Sequence, residues 1–215
     1  MGAYYSAVRF LANAVFGVLS GWEIRGAENI PRSGGLIVAS NHVSLWDPPL
    51  VGAALPREMH FLAKEELFSA PVLGALIRSV NSIPIRRGTA DLSGLSRAMV
   101  MLRQGGALLL FPEGSRMRDG ELHRPRAGVG LLAVQADVPI LPCYISGSNQ
   151  HRRWLTRAAR ARIWFGQARH WRELAGPDIE PEPGRMLYQR VGEAVMREIA
   201  ALKSGQERSA SRGAA

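Results

Sequence analysis

A histidine and a carboxylate five residues apart follow a strongly apolar run. His42 and Asp47 come after the apolar residues 36–39. Histidine exchanges protons near neutral pH, and a nearby carboxylate can fix its tautomer and stabilise its protonated form. On a continuous helix a spacing of five would turn the two side chains about 140° apart, and Pro48 disfavours helical backbone at Asp47. We therefore expect the pair in a turn between a strand and a helix, where it can take a proton from a substrate hydroxyl.

Both residues also have a purely structural interpretation. Asp47 followed by Pro48 has the sequence of a helix N-cap and a first helical residue. His42 could equally be a turn histidine that bonds the backbone. The spacing alone does not decide between these roles and catalysis.

A second polar segment ends the apolar run 107–110 and contains Glu113, Gly114 and Arg116. Gly114 permits close approach of the backbone to a ligand. Arg116 can bind a phosphate through two parallel hydrogen bonds, while Glu113 orients donors or a hydroxyl. The alternative is a tight turn with a surface ion pair of little energetic value.

A third polar segment, Arg86 and Arg87, follows the apolar residues 83–85, and its alternative interpretation is a solvated basic turn. Polar side chains at the ends of several apolar runs predict one active site at one edge of a sheet. We find no Gly-x-Ser-x-Gly nucleophile elbow, no Walker loop and no Gly-x-Gly-x-x-Gly after a strand. A metal site is not expected, because the pair has no third ligand at an obvious spacing.

Hydrophobic patterning predicts the elements that must position these residues. Strands are expected at Trp22–Gly26, Leu36–Ser40, His60–Ala63, Ser82–Ile85, Ala107–Phe111, Ile140–Ile145 and Arg162–Phe165. Helices are expected at residues 3–20, Pro48–Ala54, Leu67–Asn81, Leu92–Arg103 and Val129–Ala136, and after Pro183. Strands that alternate with helices predict an α/β sandwich with a central mixed, mostly parallel sheet flanked by helices.

Composition favours acidic partners. The chain carries 27 Lys+Arg against 18 Asp+Glu, a formal charge of +9, which attracts anionic lipid, an acidic protein or nucleic acid. Nearly all of these cations are arginine, which suits bidentate phosphate contacts but also follows genome composition. Cys143 is the only cysteine, so no disulfide framework is expected.

We divide the chain into an N-terminal apolar helix (1–21), one folded domain (22–203) and a small, polar tail (204–215) expected to be disordered. The N-terminal helix is interrupted by Arg9 and Asn13, lacks the basic leader and cleavage site of a signal peptide, and is too short to span a bilayer of about 30 Å. It is expected either to lie in the membrane interface or to pack on the domain.

Four segments, in this order, resemble the sequence blocks of the 1-acylglycerol-3-phosphate acyltransferase (lysophosphatidic acid acyltransferase) family. They are Asn41-His42-x4-Asp47, Ile83-Pro84-Ile85-Arg86-Arg87, Phe111-Pro112-Glu113-Gly114-Ser115-Arg116 and Val138-Pro139-Ile140-Leu141-Pro142. Residues 63–67 are similar to the family's connecting stretch, and the resemblance covers roughly residues 20–165. It implies a glycerolipid-acyltransferase-like fold, no cofactor, and an acyl-CoA or acyl-carrier protein thioester as co-substrate.

The resemblance also implies roles for individual residues. His42 would be the general base that deprotonates the glycerol hydroxyl of lysophosphatidic acid, and Asp47 would orient it. The hydroxyl would then attack the thioester directly to give phosphatidic acid, without a covalent enzyme intermediate. The acceptor phosphate would be held by a set of polar residues, with Lys64 the weaker candidate: Arg87, Glu113, Gly114, Arg116 and Lys64.

The chain departs from the family pattern at two places. Pro125 and Arg126 stand where a Phe-Lys-x-Gly pattern is usual, and Arg86 stands where many members carry a small or acidic residue. These departures leave other acceptors open: a lyso-aminolipid, glycerol 3-phosphate or a nonphosphorylated acceptor. The short N-terminal helix implies a peripheral, monotopic protein on the cytoplasmic face of the cell membrane, resting on an anionic surface.

A different class of function remains as an alternative. Seven arginines between residues 152 and 172 surround Trp154, Trp164 and Trp171. A basic patch with interleaved aromatic residues is typical of single-stranded nucleic-acid binding, but it also fits acyl-carrier protein or anionic headgroups. We favour the membrane or carrier over nucleic acid, because the site motifs require a lipid substrate.

Overall fold

The computed structural model describes residues 2–86, 92–156, 158–176 and 184–213 and forms a three-layer α/β/α sandwich. The strands are β1 (Glu23–Arg25), β2 (Leu36–Ser40), β3 (Met59–Lys64), β4 (Ser82–Ile85), β5 (Ala107–Leu110), β6 (Ile140–Ser146) and β7 (Arg162–Phe165). The helices are α1 (Ala3–Ser20), α2 (Asp47–Ala54), α3 (Pro71–Ser79), α4 (Leu92–Arg103), α5 (Gly128–Ala136), α6 (Trp171–Ala175) and α7 (Arg185–Gly213).

One mixed sheet has the strand order β1-β7-β6-β2-β5-β3-β4. Strands β6, β2, β5, β3 and β4 are mutually parallel, β7 is antiparallel to β6, and β1 is parallel to β7. The carboxyl ends of five neighbouring strands therefore lie at one edge. The predicted mostly parallel α/β sandwich is confirmed.

The central strands are buried on both faces, which explains their continuous apolar sequences. In β2, Leu36 and Val38 face a core shared with α1 and α2, while Ile37 and Ala39 face the core shared with α4, α5, α6 and α7. Side chains alternate along a strand, so two helical layers require apolar residues at every position. Pairing with β5 and β6 gives the register of β2, and His42 follows two residues beyond the end of this strand.

Helix α1 packs one face on the domain and leaves the other exposed. Asn13 Nδ2 donates to the Ala53 carbonyl (2.9 Å), and the Tyr5 hydroxyl accepts the Met59 N–H (3.0 Å). The outer face exposes apolar side chains: Tyr4, Phe10, Leu11, Val15, Val18 and Leu19. Among the described helices, none combines the length and apolar character needed to cross a bilayer.

The predicted helix Leu67–Asn81 is divided in the structure. Glu65–Ser69 forms a 3-10 turn, and α3 begins only at Pro71. Ala70 is extended, with φ −71° and ψ 124°, because a residue before proline avoids helical backbone. Pro71 then begins α3, at a position where its missing N–H costs nothing.

The disorder expected from residue 204 onward does not appear in the described residues, since α7 continues to Gly213. Tertiary contacts order this polar sequence. Gln206 is buried and accepts a hydrogen bond from the Ser146 hydroxyl, and Lys203 pairs with Glu121 at 2.7 Å. Polar composition predicts disorder only when no such partner surface exists. The short helix α6 was not predicted, because five residues carry too little periodicity to detect.

Candidate active site

The side chains of His42, in the turn after β2, and Asp47, the first residue of α2, meet as the spacing predicts. His42 Nδ1 lies 2.8 Å from Asp47 Oδ2, and both residues are buried. A carboxylate accepts only, so Nδ1 carries the proton and Nε2 has the lone pair of the neutral ring. No described residue forms a hydrogen bond with Nε2. The ring therefore has one nitrogen fixed and the other available as a base.

Asp47 is fully buried, and its charge is compensated by four donors. Oδ2 accepts from His42 Nδ1 and from the backbone N–H groups of Val43 (2.7 Å) and Ser44 (2.8 Å). Oδ1 accepts from the Ser148 hydroxyl at 2.5 Å. Helix α2 has no side-chain cap bond, so Asp47 stabilises the preceding turn and not the start of its own helix.

The loop that follows β5 surrounds His42 on three sides. The Phe111 ring stacks on the imidazole with a centroid distance of 3.9 Å and an interplanar angle of 15°. Glu113 Oε2 accepts the His42 N–H at 3.1 Å, and the Met117 N–H donates to the His42 carbonyl at 2.7 Å. Since β2 and β5 are adjacent and parallel, one loop holds the ring, the N–H and the carbonyl of this residue.

The buried Glu113 side chain links the backbone of His42 to the backbone of His123. Its second oxygen, Oε1, accepts the N–H of His123 at 3.0 Å, so both oxygens bond backbone donors. The side chain is buried, and this burial raises its pKa, while the hydrogen bonds from His123 and His42 oppose that rise. Because both oxygens are engaged and the residue is 3% exposed, Glu113 orients the loop and presents no surface for a phosphate.

Basic side chains lie beside this loop at the same edge of the sheet. Gly114 has φ +76°, and a Cβ there would lie 2.7 Å from Cδ of Arg126, so the Arg126 side chain crosses the glycine. Arg116 and Arg126 are both exposed. Lys64 is exposed at the end of β3, two strands from β2 and thus about 10 Å away across the sheet. Arg87 lies outside the described residues.

Two residues at this site escaped sequence reasoning. Asn41 bonds both backbone groups of Ile145, with Nδ2 donating to the carbonyl (3.0 Å) and Oδ1 accepting the N–H (2.8 Å). These bonds extend the pairing of β2 with β6 to the residue before His42. Ser148 follows β6 and reaches Asp47. The signal for Ser148 was the one used elsewhere, a polar residue just past an apolar strand, but a lone serine carries little weight.

The arginine and tryptophan patch is partly engaged in contacts within the protein. Trp154 and Trp171 are buried, and the guanidinium of Arg25 lies over Trp164 at 4.6 Å. Two of the three indole rings are therefore closed to nucleic-acid bases, and one face of the third is covered by Arg25. Several of the arginines have ion-pair partners: Arg162 with Glu23, Arg169 with Glu198, and Arg172 with Asp137.

Other reactive groups do not join the pair. Burial raises the pKa of the Cys143 thiol to about 12, so this thiol is not a nucleophile at neutral pH. In the parts of the chain that the structure describes, no group of three or more His, Cys, Asp or Glu side chains could hold a metal ion. The arrangement is suited to proton abstraction from a bound hydroxyl.

The sequence is similar to those of known acyltransferases. The chain is 26% identical over 172 residues to a 1-acyl-sn-glycerol-3-phosphate acyltransferase of Bacillus subtilis (strain 168), covering 78% of this chain and 84% of that protein. It is 35% identical over 126 residues to a lyso-ornithine lipid O-acyltransferase of Pseudomonas aeruginosa, covering 58% of this chain and 48% of that protein.

A solved structure extends the similarity to the fold. The crystal structure of the 1-acyl-sn-glycerophosphate (LPA) acyltransferase PlsC from Thermotoga maritima matches with a TM-score of 0.69 and 27% identity, over 93% of this chain and 79% of that one. A model of the Acyltransferase family matches residues 21–146. This match spans more than half of the 215 residues and includes His42, Asp47 and Glu113, so the chain belongs to the Acyltransferase family.

Proposed function

We propose that this protein transfers a fatty acyl group from an acyl thioester to the free hydroxyl of 1-acylglycerol 3-phosphate, giving phosphatidic acid. The observation that carries the proposal is the buried pair of His42 and Asp47, with Nε2 as the unbonded ring nitrogen. The relatives from Bacillus subtilis and Thermotoga maritima support this acceptor by name. The reaction needs a thioester co-substrate and no resident cofactor.

The chemistry follows from the protonation state of the pair. Nε2 of His42 removes the proton of the acceptor hydroxyl as its oxygen attacks the thioester carbonyl. The imidazolium that forms is stabilised by Asp47, whose charge is held by backbone N–H groups and Ser148. When the C–S bond breaks, the departing thiolate takes the proton from Nε2. The products are the new ester and a free thiol, and His42 returns to its starting state.

Exposed cations support a phosphate on the acceptor. Arg116 and Arg126 flank Gly114, and Lys64 lies at the end of β3. We propose that Arg116 and Arg126 contact the phosphate directly, joined by Lys64 and, from outside the described residues, Arg87. Glu113 acts by bracing the backbone of His42. Gly114 has no side chain and therefore leaves room for the Arg126 side chain to pass over the loop backbone.

The acyl chains of the proposed substrates are apolar, so we propose that the substrates come from a membrane surface. Leu45 is 71% exposed and Trp46 is 41% exposed, and both lie between His42 and Asp47 in the chain. The buried Phe16 of α1 contacts the Trp46 ring edge-on at 6.1 Å, so α1 packs beside the site. With Arg152 and Arg153 exposed after β6, this surface fits an anionic leaflet. We propose peripheral binding on the cytoplasmic face.

A second acceptor class has its own support. The Pseudomonas aeruginosa relative, 35% identical, is named for a lyso-ornithine lipid, which is a lyso-aminolipid. The same base would serve a hydroxyl on that lipid. The departure at Arg126 falls beside Gly114, where the two acceptors would differ.

One assay tests the function and separates these acceptors. Purified protein is given lysophosphatidic acid, glycerol 3-phosphate or a lyso-ornithine lipid, each with acyl-CoA or acyl-carrier protein thioester, and products are identified by mass spectrometry. We expect phosphatidic acid, and a loss of about 10²–10⁴-fold in kcat for His42→Ala, the usual contribution of a general base. His170→Ala is the matched control, since His170 lies before α6 and pairs with Asp137. Equal activity of both variants would overturn the assignment.

Membrane binding is tested separately by vesicle flotation. We expect flotation with vesicles that contain an anionic lipid, and weaker flotation for Arg152→Ala/Arg153→Ala and for Phe10→Ser on the outer face of α1. Retention of a single-stranded oligonucleotide at physiological salt, with no flotation, would instead support a polyanion-binding module.

A further inference from the structure

Ser148 contacts the catalytic pair from the segment that follows β6, the strand next to β2. It lies two residues beyond β6 and is fully buried, and its hydroxyl donates to Asp47 Oδ1 at 2.5 Å. Strand β6 is parallel to β2, so both strands deliver their following residues to the same edge. The contact joins residues 101 positions apart in the chain.

The two carboxylate oxygens of Asp47 accept different numbers of hydrogen bonds. Three donors converge on Oδ2, whereas Ser148 is the one donor to Oδ1 among the described residues. The terminal torsion of an aspartate is broad and roughly two-fold, so the donors on Oδ2 and a donor on Oδ1 restrain the same rotation of the carboxylate from opposite sides. Without the Ser148 hydroxyl, Oδ1 has no donor among the described residues, and the carboxylate is held from one side only. The plane of the carboxylate in turn sets the direction in which Oδ2 faces His42 Nδ1.

Ser148 is itself held in place independently of Asp47. Gly147 has φ +74°, and a Cβ there would lie 2.0 Å from the carbonyl oxygen of Arg160, so only glycine fits this turn. The Trp154 indole N–H donates to the Gly147 carbonyl at 3.0 Å. The bonds between Asn41 and Ile145 fix the end of β6 against β2. The serine hydroxyl is therefore preorganised and can orient the carboxylate.

We propose that Ser148 is a positioning residue for catalysis, which fixes the Asp47 carboxylate so that His42 keeps its base nitrogen toward the acceptor hydroxyl. This inference rests on the proposed function and deepens it. Ser148 is buried and contacts Asp47, so its effect belongs to the chemical step and not to substrate binding. The hydroxyl also supports the carboxylate charge at the moment when the imidazole is protonated.

The test compares Ser148→Ala with Ser148→Thr, which keeps the hydroxyl, and Ser148→Cys, which keeps the size but is a weak donor. Ser20→Ala is the matched control, because Ser20 is also fully buried and donates one hydrogen bond, to the Phe16 carbonyl at 2.7 Å. We expect Ser148→Ala to lower kcat by about 10- to 100-fold, with both KM values within about twofold of the wild type. Ser148→Thr should restore most of kcat, Ser148→Cys should be intermediate, and Ser20→Ala should retain wild-type kcat.

A spectroscopic readout keeps the inference separate from the choice of substrate. The proton between His42 Nδ1 and Asp47 gives a downfield NMR signal, assigned by its loss in His42→Ala. We expect this signal to shift or broaden in Ser148→Ala and to persist in Ser20→Ala. If the wild type turns over no acceptor, the proposed function fails, while this signal still tests the positioning role. A kcat of Ser148→Ala equal to that of Ser20→Ala, or an unchanged signal, would overturn the inference.

Discussion

The Asp47→Asn substitution tests whether the buried carboxylate acts through its charge or only through its shape. Asn has the same size, with one acceptor oxygen and one NH2 donor group. The N–H groups of Val43 and Ser44 both face the Oδ2 position, so they require the amide oxygen on that side. The amide NH2 then faces the Ser148 hydroxyl, which can rotate to accept. His42 keeps its Nδ1 proton and its tautomer, and only the charge is lost.

The size of the effect follows from the distance. Opposite unit charges 2.8 Å apart, the separation of His42 Nδ1 and Asp47 Oδ2, attract by about 6 kcal/mol at an effective dielectric constant of ~20. A charge-assisted hydrogen bond is roughly twice as strong as a neutral one, so the neutral amide loses about half of this attraction, ~3 kcal/mol. We therefore expect kcat to fall by about 10²-fold, with KM nearly unchanged.

The assay is steady-state turnover with lysophosphatidic acid and acyl-CoA, alongside thermal unfolding. Asp137→Asn is the matched control, since Asp137 is exposed and has a left-handed backbone (φ 55°) that Asn tolerates. Asp47→Ala should instead destabilise the fold by about 2–6 kcal/mol, because two backbone N–H groups lose their acceptor. A loss near 10⁴-fold for Asp47→Asn would mean that the amide has turned and imposed the wrong tautomer. A loss below tenfold would refute the role of charge.

Two further predictions concern stability. Glu113→Gln leaves an acceptor for only one of the N–H groups of His42 and His123, so we expect the free energy of unfolding to fall by about 1–3 kcal/mol. The loss should lie toward the lower end of this range, because burial already penalises the charged carboxylate and raises the pKa of Glu113. An unchanged denaturation midpoint would contradict this prediction. Burial lowers the pKa of His60 despite its bond to the Ala107 carbonyl, so the folded state favours neutral imidazole, and the unfolded chain takes up the proton first as pH falls. The resulting stability is complete above about pH 6.5, the unfolded pKa, and is lost as pH falls through the lower folded pKa. Denaturation between pH 8 and pH 5 should show a smaller pH dependence in His60→Gln, and equal slopes would contradict the assignment.

Local patterns were sufficient for most of the fold. The seven strands lie where continuous or alternating apolar residues predicted them. A strand that is buried on one or both faces needs apolar side chains on those faces, so its position can be read from the sequence. The meeting of His42 and Asp47 was predictable because a spacing of five does not place both side chains on one face of a helix, although Pro48 did not keep Asp47 out of α2, which begins at that residue. The exceptions are elements set by distant contacts, such as the end of α7, whose polar residue Gln206 is ordered by Ser146.

The sequence by itself determined the residue types, the local turn and the principle that strand ends share an edge, and these were enough to bring His42, Asp47 and the loop of Glu113 to one site. Only the tertiary structure decided how they act together. Strand order placed β5 and β6 on either side of β2, which brought Glu113 to the backbone of His42 and Ser148 to the second oxygen of Asp47. Those contacts join residues 71 and 101 positions apart. No local periodicity encodes them, because they depend on the register and neighbours of strands that pair only when the whole sheet assembles.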